Sequence, residues 1–342
     1  LKMAFIHPQS CECTKSELDL FSVPPTQTSV ESGFWAEYNP IASITQGTPI
    51  EFSVKGSGQD YLDLANTMLY VKAQIVTAAG AAIAADAATG PINLLLHSLF
   101  SEVDISLNGT TDRKSTRLNG TMVTNSNNTY PYRAYLENVL SYGPAAKNSQ
   151  LTSALYYKDT AGYMENTNPH DNATRNVGLK SRGAFTAGDR TVDLIGCIHS
   201  DLFFQDRYLL NDIGLSIRLA RSKDAFCLMG ANDATFKVKI HECKLLVRKV
   251  HLSPSVFLAH AKALEIGNAK YPIRRVVCKT FTVPTGNLNV SQESLFSGQL
   301  PTRIVIGCVD NDAFNGAYEK NPFNFKHMNA TQVKLYLDGQ QQ

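Results

Sequence analysis

Hydrophobic positions along the chain follow two rhythms, and each rhythm predicts a different element. From Ile50, apolar and polar residues alternate: Ile50, Phe52 and Val54 share one side of an extended run that breaks at Gly56-Ser57-Gly58. A second run follows with Leu62, Leu64, Met68, Tyr70 and residues 73–75, and two such runs across a Gly-rich turn predict a hairpin or sheet-edge pair. Val103-Asp104-Ile105-Ser106-Leu107 alternates cleanly and stops at Asn108-Gly109, a strong turn signal. Further strands are predicted over 192–195, 213–219, 226–229 and 236–250, rich in β-branched residues, with Ser253-Pro254 closing the block.

The helical rhythm is confined to residues 131–142, where Tyr132, Tyr135, Leu136, Val139 and Leu140 fall at i, i+3, i+4, i+7 and i+8. Pro131 suits the first turn and Gly143-Pro144 ends the element. Residues 92–100 are compactly apolar, with room for one helical turn, while the Ala- and Gly-rich stretch 77–90 reads as a loop outside any core. Residues 1–34 lack a period, contain Pro24-Pro25 and read as an extended arm. The polar, Asn-rich stretch 145–183 reads as a long exposed excursion, of the kind that usually binds something. The pattern is all-β with one or two intercalated helices.

Laying residues 92–109 against 322–339 shows a repeat at an offset of 230: His97 meets His327, Val103 meets Val333, Leu107 meets Leu337, and Asn108-Gly109 meets Asp338-Gly339. Ile50-Glu51-Phe52-Ser53-Val54 likewise resembles Thr280-Phe281-Thr282-Val283, and 64–71 resembles 300–307. Three elements in one order at nearly one offset predict a duplicated β-domain, because the period is too long for a solenoid. An arm at 1–34, a first copy at 35–253 and the start of a second at 254–342 follow, the second copy being expected to be incomplete in this chain.

Composition narrows the function classes. Of 342 residues, 43% are hydrophobic and 18% charged, with a net charge of +2, so neither global disorder nor a dedicated nucleic-acid binder fits. The chain contains 24 Asn, and polarity without charge suits a loop-rich β protein. No apolar run reaches the ~20 residues of a membrane span, and the start is too short in apolar residues for a signal peptide, which predicts an intracellular context. Seven cysteines, four or five in strand-like runs, read as buried free thiols. Six glycosylation sequons, at Asn108, Asn119, Asn127, Asn172, Asn289 and Asn329, are explained by the abundance of Asn and Thr.

The sequence holds no complete catalytic or metal-binding motif. Cys11 and Cys13 lack the further ligands a metal needs, and His241 and Cys243, on one face of a predicted strand, make half a site at best. Asp310-Asn311-Asp312 opens like a calcium loop, but Phe314 holds the next ligand position. Lys55-Gly56-Ser57-Gly58 has no helix behind it to complete a phosphate cradle. Arg274-Arg275 and Lys244, Arg248 and Lys249 read as solvated strand faces or subunit contacts, and the recurrence of His97 as His327 points to a shared structural position. No catalytic, cofactor-binding or metal residue is assigned, and no enzyme is expected.

Ser16-Glu17-Leu18-Asp19-Leu20-Phe21-Ser22-Val23-Pro24-Pro25-Thr26-Gln27-Thr28 resembles the amino-terminal signature of Maverick/Polinton and adintovirus major capsid proteins. Similar blocks are Tyr61-Leu62-Asp63-Leu64, Tyr130-Pro131-Tyr132-Arg133-Ala134-Tyr135-Leu136-Glu137 and Gln205-Asp206-Arg207-Tyr208-Leu209-Leu210. Lys270-Tyr271-Pro272-Ile273, Asn321-Pro322-Phe323-Asn324-Phe325-Lys326-His327 and Leu335-Tyr336-Leu337-Asp338-Gly339 complete the set, so the resemblance runs from Ser16 to Gln342. It implies a double jelly roll, two tandem β-sandwiches in one chain. It also implies a homotrimer that tiles an icosahedral shell beside neighbouring capsomers and a penton protein, with well over ~2,000 Å² buried per subunit. The virion shell, assembled inside the host cell, would be its location. The competing readings are a lectin-like recognition module using 145–183, and a minor vertex capsid protein with one complete jelly roll.

Overall fold

The computed structural model describes residues 16–341 apart from 22, 24–25, 46, 57, 108–116, 119–120, 123–127, 288, 294, 297–300 and 338–339. After a short 3-10 turn at Ser16–Leu18, the chain enters β1 (Val30–Tyr38), so a strand begins inside the stretch read as an arm. It is followed by β2 (Ile50–Val54), β3 (Asp60–Val76), β4 (Thr89–Pro91), α1 (Leu95–Ser98) and β5 (Phe100–Leu107). Two-residue strands β6 (Arg117–Leu118) and β7 (Thr121–Met122) precede α2 (Tyr130–Ser141), α3 (Pro144–Lys147) and α4 (Val177–Thr186). Then come β8 (Thr191–Cys197), β9 (Leu215–Arg221), α5 (Asp224–Cys227), β10 (Leu228–Gly230), β11 (Lys237–Leu252) and α6 (Pro254–Ile266). Beyond these lie α7 (Asn311–Asn315), β12 (Tyr336–Leu337) and β13 (Gln340–Gln341).

Two antiparallel sheets enclose the core, one in the order β1-β11-β3-β8 and the other β2-β9-β5. The first and last long strands are neighbours, and consecutive strands repeatedly change sheet. This interleaving is the double Greek key of a jelly-roll sandwich. Alternation explains which side chains fill it: Ile50, Phe52 and Val54 of β2, Val103, Ile105 and Leu107 of β5, and Leu215, Ile217 and Leu219 of β9 all join one buried cluster. From the facing sheet Val71, Ala73 and Ile75 of β3 and Val238, Leu245 and Val247 of β11 meet them.

The predicted hairpin is not a hairpin. β2 pairs with β9 and β3 with β11 and β8, so the turn after Val54 crosses between sheets. Gly56 makes that crossing possible, because a Cβ there would stand 2.5 Å from the Asp212 backbone. The Ala-rich loop is not wholly outside the core either, since Ile83 is buried and β4 pairs with β10. Residues 226–229, expected as a strand, divide between α5 and β10.

α1 and α2 form where the sequence places them, and Tyr132, Tyr135 and Val139 of the expected face meet the core, but the buried face of α2 is wider than expected and leaves out Leu140. Tyr130, Tyr132, Ala134 and Asn138 are buried, whereas Leu140 is exposed. Residues 145–183 are the largest departure: the stretch folds into α3, a 3-10 turn (Gln150–Ala154) and α4, with Leu155, Tyr156, Asp159, Asn176 and Arg182 buried. Its Asn, Asp and Arg side chains supply the bonds that a strand ladder would otherwise provide. The Asn108-Gly109 turn lies outside the described residues.

After β11 the pattern changes. Residues 280–283 form no strand, and of 333–337 only Tyr336 and Leu337 pair, with β13. Phe281, Val283 and Val333 are exposed. A strand persists only with a neighbour to bond, and among the described residues none lies alongside these.

Candidate functional site

None of the weighed chemical residues converge. The β-bulge between Ile240 and Glu242 shifts the register of β11, so His241 faces solvent against Gln74 Oε1 at 2.8 Å while Cys243 points into the core. The two do not share a face, contrary to the alternation. Burial pushes the Cys243 and Cys227 thiols up to about 12, as expected of packing residues. Asp310 is held by Lys326 at 2.6 Å and Lys320 at 3.3 Å, and the Lys326 bond keeps its carboxyl below the ordinary range. Lys244 pairs with Glu242 at 2.9 Å, Arg248 lies over Trp35, and Lys249 is buried, so these three make no basic patch. Arg274 and Arg275 are exposed. His97 is buried and His327 exposed, so the recurring histidine does not keep one environment. Cys11 and Cys13 lie outside the described residues. Among the described residues, no three His, Cys, Asp or Glu side chains are placed to hold a metal ion.

What the structure does bring together is a clamp between the sandwich and residues 309–326. At its centre Arg182 is completely buried: Nε donates to Pro91 O at 2.9 Å, Nη1 to Tyr157 O at 2.5 Å and Nη2 to Asp159 Oδ1 at 2.6 Å. Asn176 Nδ2 donates to the same Asp159 oxygen at 2.9 Å, and its Oδ1 caps α4 by accepting from Leu179 N. Gly178 allows this corner to close, because a Cβ there would lie 2.4 Å from Lys158 O. Onto the knot comes Asn321, whose Nδ2 reaches Asp159 Oδ2 at 3.3 Å and Met164 O at 3.2 Å, while its backbone N donates to Glu165 at 2.9 Å. Buried charges are tolerated only with such complete pairing.

Beside the knot lies an aromatic groove. Tyr132 and Tyr135 of α2, with Ile92, Leu179 and Phe226, receive Phe323, and Phe314 and Phe325 flank it. Phe323 stacks on Tyr135 with ring centroids 4.1 Å apart and planes 2° from parallel. Tyr318 adds a hydroxyl bond to Phe236 O at 2.7 Å and a carbonyl that accepts from Gly230 N at 2.8 Å.

A second polar network runs under α2. Arg133 bridges Glu137 at 2.9 Å and Asp201 at 2.5 Å, and Asp201 Oδ1 also accepts from Val276 N at 3.2 Å. His199 Nδ1 meets Glu137 at 2.6 Å, and Tyr130 Oη meets His97 Nδ1 at 2.9 Å. Burial opposes charge on Glu137, yet its bonds to His199 and Arg133 prevail and hold the carboxyl low. For Asp201 burial wins over Arg133 and the carboxyl is raised. Burial, then the neighbouring His199, drives His97 well below its ordinary value.

The strand order defines the class, a jelly-roll β-sandwich. No protein-family model matches the chain. An uncharacterized protein of Caenorhabditis elegans is 26% identical over 330 residues, covering 93% of this chain and 73% of that one. Among solved structures, the Sputnik virophage by cryo-EM matches 72% of the chain with 13% identity and a TM-score of 0.46. The Faustovirus major capsid protein matches 72% of the chain with 8% identity and a TM-score of 0.40. The chain spans little more than half of each solved structure, 53% and 58%.

Proposed function

We propose that this chain is a structural shell subunit, a major capsid protein of a Polinton/adintovirus-like element, which acts by self-association and catalyses nothing. The observation that carries the reading is α6. It is apolar over most of its circumference; Val256 and Phe257 pack against Tyr61, Val250 and Leu252, but Leu258, Leu264 and Ile266 are exposed and none of its residues is fully buried. Helices of that composition are normally covered. Val276, Val277, Phe281, Val283, Val305 and Ile306, later in the chain, are exposed as well. A subunit whose neighbours complete it has this surface. The jelly-roll order and the resemblance in sequence blocks support the same reading, with 254–342 opening a second jelly roll, trimers as capsomers, a penton protein at the vertices, and the virion shell as location.

A lectin-like module using 145–183 is disfavoured, because Asp159, Asn176 and Arg182 commit that stretch to the clamp. A vertex component keeps one supporting observation: the described residues form a single sandwich. Electron microscopy and mass photometry of the full-length gene product separate these readings. Hexagonal trimers or shells support a major capsid protein, pentamers a vertex protein, and monodisperse monomers that bind glycan overturn both.

A further inference from the structure

The clamp has the form of a receptor and a tethered ligand. Residues 309–326 reach the sandwich after a stretch, 277–308, whose described residues contain no helix or strand. What holds the segment is local and chemically selective. Phe323 fills the aromatic groove, Asn321 meets Asp159, Met164 and Glu165, and Asn324 Nδ2 bonds the other Glu165 oxygen at 2.5 Å. The groove side is built by residues of the sandwich and its helices: Tyr132, Tyr135, Asp159, Glu165 and Leu179.

We infer that this groove is a recognition site for the Asn-Pro-Phe-Asn segment as such, and that it accepts the segment from a second copy of this chain as well as from its own. The tether decides feasibility. Extended, residues 277–308 reach about 100 Å, against roughly 45–50 Å for the diameter of a sandwich of this size. A neighbour's groove therefore lies within reach, and exchange of an identical element costs no contact. The inference does not depend on the shell reading, since exchange can link two chains in any assembly.

The test uses the full chain with Phe323→Ala, which removes the ring stacked on Tyr135 and weakens the segment's own hold on the groove, and a synthetic peptide of residues 309–328. Saturable binding by fluorescence anisotropy, with Tm raised by about 3 °C or more, is expected. The same peptide carrying Asn321→Ala and Phe323→Ala is expected to do neither. If Phe323→Ala does not fold, Phe323→Leu replaces it. For exchange, the Phe323→Ala chain is mixed with a Tyr135→Ala chain, each with its own fluorophore. The first supplies a sound groove and the second a sound segment, so energy transfer above that of two Phe323→Ala populations is expected. Absence of peptide binding overturns the recognition site. Peptide binding without excess energy transfer overturns exchange between copies. Trimers or shells that form normally while both readouts fail would leave the shell reading standing and this inference refuted.

Discussion

Asn138 Nδ2 donates to His199 Nε2 across 3.0 Å, while Asn138 Oδ1, equally buried, has no hydrogen-bond partner. The same Nδ2 donates to Ala134 O at 2.8 Å, which fixes the amide's orientation. His199 must therefore accept at Nε2 and donate from Nδ1 to Glu137. Asn138→Ala removes the donor and leaves a buried ring nitrogen unmatched, a loss of about 1–3 kcal/mol. Urea denaturation measures it, and a change under about 0.5 kcal/mol would remove this bond from the account.

His97 gives the protein an acid-sensitive side. Its folded value lies well below the ordinary one, so the unfolded chain binds the proton first as pH falls. The stabilisation from keeping it neutral is complete above about pH 6.5 and is lost below, by up to about 1.4 kcal/mol per pH unit. Asp201, raised by burial, works in the opposite sense: its folded form holds the proton more tightly, so stability falls as pH rises through the carboxylate range. His97→Gln, which still accepts from Tyr130, is expected to lose less stability than wild type between pH 7 and 5.5. Equal losses would assign the acid response to other groups.

Arg182 and Asp159 are expected to behave as a unit. Arg182→Met leaves the Asp159 carboxylate buried and costs about 3–5 kcal/mol. Adding Asp159→Asn restores part of that, so the double variant is more stable than the sum of the singles predicts. A double-mutant cycle by chemical denaturation decides, and simple additivity would contradict the geometry.

Gly56 and Gly267 offer a matched pair. Gly56→Ala drives a Cβ into the Asp212 backbone and is expected to lower Tm by several degrees, whereas Gly267→Ala, with open space around it, is expected to change little. Similar shifts in both would show that the crossing after β2 has room for a side chain beside Asp212.

Most of the sandwich was readable because its strands are half-buried. In β2 and β9, and in β5 from Val103 onward, every second residue enters the core, and alternation records that directly. It does not record which sheet a strand joins, so Val54 and Leu62 read as one hairpin when they belong to opposite layers. Nor does it survive a bulge, which is why His241 and Cys243 parted. Residues 145–183 depart from the expected exposed excursion for a different reason. Their order comes from Asn176, Asp159 and Arg182 bonding to backbone and to each other, and composition treats such residues as solvated. The one local signal was Asn176 ahead of Val177-Gly178-Leu179, a capping residue before an apolar turn. The partner of that knot, Asn321, lies so far along the chain that no local pattern could place it.

The position of Phe323 also sets a clock. The last long strand ends at Leu252, and about 70 residues follow before Phe323 is made, roughly 4–14 s at 5–20 residues per second. During that interval a nascent chain has every buried residue of its main core except Tyr271 and one flank still vacant. Synthesis speed thus governs how long Tyr135 and the Asp159 carboxylate stay open to water, to chaperones and to neighbouring nascent chains.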